Sequence, residues 1–324
     1  MKKKIKLQKS LIILVSVLIT VTMVGSATVV MVFKSISSKI ERDVIDRNYV
    51  KDTGLTPVKE EKEDDVINIL LLGTDKYDSN VLTASDATMI LTIDTINNKI
   101  KLCSIMRDTY LEVPGQDPCN LNDVIIKGGP ELTMKTINTN FNLQIDKFIQ
   151  VNLNSLPKII DILGGVEINV TDEEIPYING LISSIDSNNG TNNPTVTSSG
   201  LQTLNGTQAS AYSRIRSTSG RDYKRTQRQR DVLSSLYNKF TSASITQLAQ
   251  LMNNILPLVS TNITDTEILS LISKVLTMQV EAIEQARFPL DGQHETVLTD
   301  MYHMIIDKDQ TTNEIHKFIF SLEQ

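Results

Sequence analysis

Twenty-three consecutive residues, Leu11 to Phe33, carry no charge and are rich in Val, Leu and Ile. A helix of that length crosses a hydrocarbon core of about 30 Å, so the run ties the chain to a membrane before anything else is read. Lys2, Lys3, Lys4, Lys6 and Lys9 precede it with no acidic residue. Residues 1–10 are therefore expected to form a cytoplasmic tail, with everything after Phe33 outside the cell. A signal peptide cleaved near Gly25-Ser26-Ala27 is the competing reading. The uncharged run continues past that site to Phe33 and favours an anchor.

The whole chain has 324 residues and a formal net charge of −6; removing the five tail lysines leaves 27 basic against 38 acidic residues, or −11 on the exterior part. A protein that coats nucleic acid through bulk charge is excluded, and any anion site must be local. The length accommodates one large domain or two ordinary ones. Cys103 and Cys119, with His294, His303 and His316, are too few and too scattered for a zinc site. In an oxidising exterior the two cysteines fit either a disulfide or two free thiols.

Residues 34–65 are charged, end in Lys59-Glu-Glu-Lys-Glu-Asp-Asp65, and read as an unpacked juxtamembrane stalk. A domain begins at Val66, where Val-Ile-Asn-Ile-Leu-Leu-Leu-Gly suits a buried strand. Strands are expected over residues 87–93 and 99–105, joined by an Asn97-Asn98 turn. Helix follows over 130–140, strand over 148–153, helix over 156–163 ended by Gly164-Gly165, and strand over 166–170. Residues 183–200, mostly Ser, Asn, Thr and Gly, are expected to form an exposed loop. Helical periodicity resumes near Gly206 and dominates from Tyr223. The fold class is α/β, a mixed central sheet flanked by helices, behind one transmembrane helix. Its principal domain runs over 66–240, with 241–324, including a terminal strand near Met304, packed on the same domain.

Six of the ten arginines, Arg214, Arg216, Arg221, Arg225, Arg228 and Arg230, fall within 17 residues; with Lys224 and against Asp222 they give that window +6. A charge run is usually a solvated helix face, but helical geometry argues otherwise. At about 100° per residue, Asp222, Arg225 and Gln229 share one sector with Val232, Leu233, Leu236 and Phe240. An inward arginine costs several kcal/mol unless paired, and one aspartate cannot neutralise several guanidiniums, so a bound anion is implied. Arg230 and Lys224 fall outside the sector and read as solvated. If residues 212–216 are extended, Arg214 and Arg216 point the same way. Planar guanidinium forks suit phosphate oxygens.

Upstream, Gly73-Thr-Asp75 ends the first strand and Ser85-Asp86 begins the second. Two carboxylates at neighbouring strand ends can share Mg²⁺, with substrate phosphates filling its remaining positions. Arg107, the only arginine between Arg47 and Arg214, follows the third strand in Ser104-Ile-Met-Arg-Asp-Thr109.

Taken in order, GTD (73–75), SD (85–86), SIMRDT (104–109), PG (114–115), LN (121–122) before GG (128–129), LGGV (163–166), YSRIR (212–216) and RDYKRTQRQ (221–229) resemble the LytR-CpsA-Psr family of cell-wall glycopolymer ligases. The resemblance covers residues 67–240. The family pattern has arginine, proline and glycine where this chain has Tyr77, Met106 and Lys224. The resemblance implies an α/β domain whose apolar interior holds a polyisoprenoid tail. Asp75 and Asp86 would hold Mg²⁺, or Mn²⁺ in its place. Arg107, Arg214, Arg216 and Arg225 would grip the pyrophosphate, with Arg221, Arg228, Asp222, Gln229 and Asn122 completing the site. Arg107, Asp86 and Asp75 would be the catalytic residues.

The implied activity is transfer of a glycopolymer of teichoic acid or capsular type from a polyprenyl-pyrophosphate carrier to peptidoglycan. It would take place outside the membrane of a Gram-positive-type bacterium, without nucleic acid. Hydrolysis of the same lipid, or binding of lipid carrier or glycopolymer without turnover, are the alternatives. A sortase-like thiol mechanism is disfavoured, because Cys103 lies on a buried strand with no histidine nearby in sequence.

Overall fold

The computed structural model describes residues 38–55, 65–74, 83–218, 221–242, 254–255, 258–278, 280, 282–299 and 301–321. The proposed anchor, the cytoplasmic tail and Asp75 lie outside the described residues. Within them, no helix is long and apolar enough to cross a membrane.

The Val66 run forms β2 (Val66–Thr74), buried on both faces, because Leu70 and Leu72 point one way while Ile69 and Leu71 point the other. β3 (Ser85–Asp94) pairs antiparallel with β2 and with β4 (Lys99–Ile105). The expected Asn97-Asn98 turn joins β3 to β4. Asn98 takes φ 52°, and the Asp94 carboxylate accepts Asn97 N–H at 3.0 Å. β7 (Lys147–Asn152) lies parallel to β2 on its other side.

Three further strands complete a seven-stranded mixed sheet: β1 (Glu41–Arg42), β10 (Val259–Thr261) and β11 (Ile283–Phe288), in the order β1-β10-β7-β2-β3-β4-β11. Residues beyond 240 thus supply two strands of the central sheet and side chains of its core. The last described element is a helix, α8 (Lys308–Phe320), and the strand near Met304 is β13 (Tyr302–Ile306), paired with β12 (His294–Leu298).

One sheet face packs Leu70, Ile90, Cys103 and Phe148 against Met134, Ile137 and Phe141 of α2 (Leu121–Phe141) and Ile315 and Ile319 of α8. Each such side chain contributes about 1.5–3 kcal/mol. The helix expected over 130–140 is the second half of α2, which starts at Leu121 and is broken by Gly129 at φ 65°, with Pro130 opening the second half. The opposite face packs Ile69, Leu71, Ile93 and Ile149 against α7 (Asp265–Thr277). A second lobe gathers α3 (Leu156–Ile162), β8 (Val166–Val170), α4 (Ile175–Asn189), β9 (Gly200–Leu204), α5 (Gly206–Arg214) and α6 (Arg221–Thr241) around Ile168, Ile178, Ile182 and Tyr212.

Three expectations are corrected. Residues 183–189 belong to α4, not to a loop. Ile178, Leu181, Ile182 and Ile185 recur at helical spacing on one face, and one apolar face suffices however polar the remainder is. Residues 38–55 are packed, not a free stalk. β1 pairs with β10, Val50 of α1 (Arg47–Lys51) is fully buried, and Arg42 meets Asp265 at 2.5 Å. Residues 212–214 are helical, because Asn205 and Gln208 close a capping box that drives α5 through Arg214. Both cysteines are free thiols; burial pushes Cys103 up to about 12.

The fastening of residues 38–55 is pH-dependent. Arg47 grips Glu267 with Nη1–Oε1 at 2.5 Å and Nη2–Oε2 at 2.9 Å, and Glu267 also caps α7 through Thr264 N–H at 2.8 Å. Burial alone would raise its carboxyl, but Arg47 and Thr264 outweigh that and hold it at about 2. Its folded pKa lies below its ordinary 4.5, so the stability it contributes is complete above 4.5 and disappears as pH falls toward about 2. Urea midpoints measured through that window should fall steeply for the parent and less for Glu267→Gln. Equal acid slopes would refute the assignment.

Candidate active site

Between the sheet and α6 lies a cavity of about 510 Å³, within the range of pockets that enclose a ligand's body. Its walls are apolar, with Leu71 and Met89 from the sheet, Leu153 and Ile159 from the α3 side, and Val232, Leu233 and Leu236 from α6. Gly73 keeps one wall low, since a Cβ there would sit 3.1 Å from Leu153 and 3.2 Å from Ala87. At one end the lining turns polar, with Asp86, Arg214, Arg216, Arg225 and Gln229. The cavity is thus amphiphilic along its length.

Asp86, the second residue of β3, is the hub of that polar end. Its Oδ1 accepts from Arg107 Nη1 at 2.9 Å and Arg216 Nη2 at 3.1 Å, and stands 3.9 Å from Arg225 Nη1. Those three contacts crowd one oxygen, and Oδ2 takes none of them. Arg225 is only 2% exposed, with Nη2 3.0 Å from Asp222 Oδ1, yet none of its three guanidinium nitrogens makes a hydrogen bond. Burial, and then Arg216 and Arg107 beside it, lower its pKa to about 10 against the pull of Asp222. It remains a cation at neutral pH. Gln229 Oε1 and Asp222 Oδ1 are likewise buried without a hydrogen bond. Native proteins leave few such groups; here Arg225 and Gln229 line the polar end of the cavity and Asp222 stands beside Arg225, so that end presents cationic donors without hydrogen-bond acceptors.

Of the sequence-predicted residues, Asp86, Arg107, Arg216, Asp222, Arg225 and Gln229 come together, and Arg214 lines the cavity. Asn122 joins through its backbone, donating N–H to the Arg107 carbonyl at 3.0 Å, while its Oδ1 is buried without a partner. Arg221 opens α6, but its side chain lies outside the described residues. Arg228 is not brought to the cavity. It is buried in the second lobe with Nε on Glu174 Oε1 at 2.8 Å.

Arg230 is buried, not solvated, with Nη1 on Ser104 Oγ at 2.8 Å and Nη2 on Gln227 Oε1 at 2.6 Å. The wheel assumed a single inward face, whereas β11 covers α6 on a second side, where Gln285 meets Gln227 and Ser234. Lys224 is exposed, as expected. Sequence reasoning passed over Asp108. Its carboxyl is raised by burial and stands 3.5 Å from Arg107 Nε, while its carbonyl accepts Met304 N–H at 2.8 Å and ties the β12–β13 hairpin to the arginine segment. Its place beside Arg107 in the quoted run was the only available signal.

The model of the LytR_cpsA_psr family matches residues 27–317. This chain belongs to that family. TagU of Oceanobacillus iheyensis, named a polyisoprenyl-teichoic acid–peptidoglycan teichoic acid transferase, is 30% identical over 263 residues, covering 76% of this chain and 74% of its own. Regulatory protein MsrR of Staphylococcus aureus is 28% identical over 256 residues, covering 78% and 73%.

Among solved structures, TagT bound to LI-WTA superposes on this LytR_cpsA_psr protein with TM-score 0.66 at 23% identity, over 86% of this chain and 98% of that one. YwtF (TagT) with bound octaprenyl pyrophosphate superposes with TM-score 0.63 at 21% identity, over 86% and 99%. The mixed sheet flanked by helices is thus the fold of the family.

Proposed function

We propose that this protein is anchored by residues 11–33, faces the cell exterior, and transfers a glycopolymer from a polyprenyl-pyrophosphate carrier to a hydroxyl of peptidoglycan. The observation that carries the proposal is Arg225, a buried cation without a hydrogen bond at the polar end of an apolar cavity. A prenyl chain fits the apolar part, and the diphosphate supplies the acceptors that Arg225 lacks. Relatives named for teichoic acid transfer, and a neighbour of the same fold holding octaprenyl pyrophosphate, support the same ligand class.

Arg107, Arg214, Arg216 and Arg225 would neutralise the diphosphate, with Asp222 orienting Arg225 and Gln229 contributing its amide. The acceptor oxygen attacks the sugar-linked phosphorus and forms a phosphodiester. The bond from that phosphorus to the bridging oxygen breaks, polyprenyl phosphate leaves, and the hydroxyl proton passes to a carboxylate, Asp86 or Asp75. Positioning and fixed charge supply most of the rate.

The donor set also suits Mg²⁺ or Mn²⁺. Both arginine hydrogen bonds to Asp86 go to Oδ1, Asp75 follows the end of the paired strand in sequence, and Mg²⁺ commonly takes one or two carboxylates with phosphate oxygens completing its shell. When bound, the ion would draw charge from the phosphates. Full-length protein given lipid-linked donor and peptidoglycan should yield wall-attached glycan. Release of phosphorylated glycan alone would assign hydrolysis instead, and donor retained intact would leave only a carrier-binding role.

A further inference from the structure

Arg216 stands out in solvent, its side chain 48% exposed, yet it reaches Asp86 at 3.1 Å. A long exposed side chain ordinarily samples many rotamers, so its aim depends on how firmly its backbone is held. The backbone is held from behind. Arg228, buried in the second lobe, donates Nη1 to the Ile215 carbonyl at 3.2 Å and Nη2 to Thr218 Oγ1 at 2.7 Å, and its guanidinium lies 5.8 Å from the Tyr212 ring centroid. These three partners flank Arg214 and Arg216 in the chain. The remaining nitrogen, Nε, donates to Glu174 Oε1 at 2.8 Å, and Glu174 Oε2 accepts Thr171 N–H at 2.9 Å. Each of the three nitrogens of Arg228 thus donates a bond, spanning from the start of α4 to the segment that carries Arg216. Glu174 is itself buried, in a stretch with no site motif.

We infer that Glu174 and Arg228 are positioning residues, a buried strut that fixes residues 215–218 and thereby aims Arg216 at Asp86 and at the incoming diphosphate. The inference rests on the diphosphate reading of the polar end. It gives Arg228 a part in binding without contact. An arginine is needed there because only its planar fork reaches a carboxylate, a carbonyl and a hydroxyl together; a lysine ammonium presents one point of charge.

Removing either charge of the strut strands the other in the core and endangers folding, so the informative variant is Thr218→Val. It keeps the shape and both charges while cutting the bond to the segment. Inorganic pyrophosphate is titrated calorimetrically into the full chain in detergent micelles. Arg216→Ala should weaken binding on the order of ten-fold, the loss of a charge-assisted bond, and Thr218→Val on the order of three- to ten-fold. Thr218→Ser, which keeps the hydroxyl, should bind as the parent does.

The decisive comparison is the double variant: with Arg216 already alanine, Thr218→Val should cost nothing further, because the strut acts through Arg216. An unchanged affinity in Thr218→Val overturns the inference, as does a loss that persists undiminished in the Arg216→Ala background, the mark of a merely structural residue. Failure of the parent itself to bind pyrophosphate would bring down the diphosphate reading and the strut with it, a result distinct from the other two.

Discussion

Replacing Arg225 by methionine is expected to abolish binding of a polyprenyl pyrophosphate while leaving the protein at least as stable as before. The two effects have one cause. Arg225 is 2% exposed, makes no hydrogen bond through its guanidinium, and is held below its ordinary pKa by burial and by neighbouring cations. A base whose pKa falls on folding is charged at the expense of the folded state. Its partner Asp222 is 34% exposed and Asp86 keeps its bonds to Arg107 and Arg216, so exchanging Arg225 for an apolar side chain of similar length strands no fully buried charge and relieves the cost of burying this one. Against that, the diphosphate loses the fork that best matches it, and two charge-assisted bonds at about 1.5–3 kcal/mol each amount to a loss on the order of 10²- to 10⁴-fold. Thermal melts and ligand titrations on the same preparations decide the matter. A lowered melting temperature with binding retained would mean that Arg225 is structural.

Gly206→Ala should instead damage the scaffold, by at least about 3 kcal/mol and hence a melting temperature lower by roughly 6–12 °C or more. Propensity alone argues the other way, since alanine is favoured over glycine by about 1 kcal/mol inside a helix. Contact decides. A Cβ on Gly206 would stand 1.9 Å from the Pro157 carbonyl oxygen and 2.5 Å from its carbon, both backbone atoms, so no side chain can move aside. The Gly206 N–H also donates to Asp161 Oδ1 at 2.6 Å, locking the start of α5 onto α3. Forcing these backbones apart would shift Arg214 at the far end of α5 as well. An alanine variant melting within about 2 °C of the parent would overturn the close-approach argument.

What could be read from sequence follows the range of the interactions involved. Asp222, Arg225 and Gln229 were legible because a 3.6-residue period and the apolar residues downstream define one inward face without reference to the rest of the chain. The Asn97-Asn98 hairpin was legible for the same local reason. Arg228 and Arg230 were not, because their burial depends on Glu174 and Ser104, 54 and 126 residues away, and on strands covering other sides of the same helix. Residues 38–55 looked like a stalk because the partner of Arg47 lies 220 residues downstream. In residues 183–189 the average composition outweighed the helical spacing that Ile185 continues from Ile178, Leu181 and Ile182 just upstream. The cavity itself had no sequence signature, since its lining alternates as any core strand does.

The edge strand β1 has a consequence for access. Glu41 is paired with Ser260, next to Val259, which lines the apolar cavity. With the anchor proposed for residues 11–33, seven residues lie between Phe33 and Glu41, and the eight steps from one to the other span at most about 28 Å. Given that proposed anchor, the sheet edge at the apolar end of the cavity would stay within that reach of the lipid surface. A carrier molecule could slide its hydrocarbon into the protein from the leaflet without exposing it to water, while its sugar chain stays free to meet the wall.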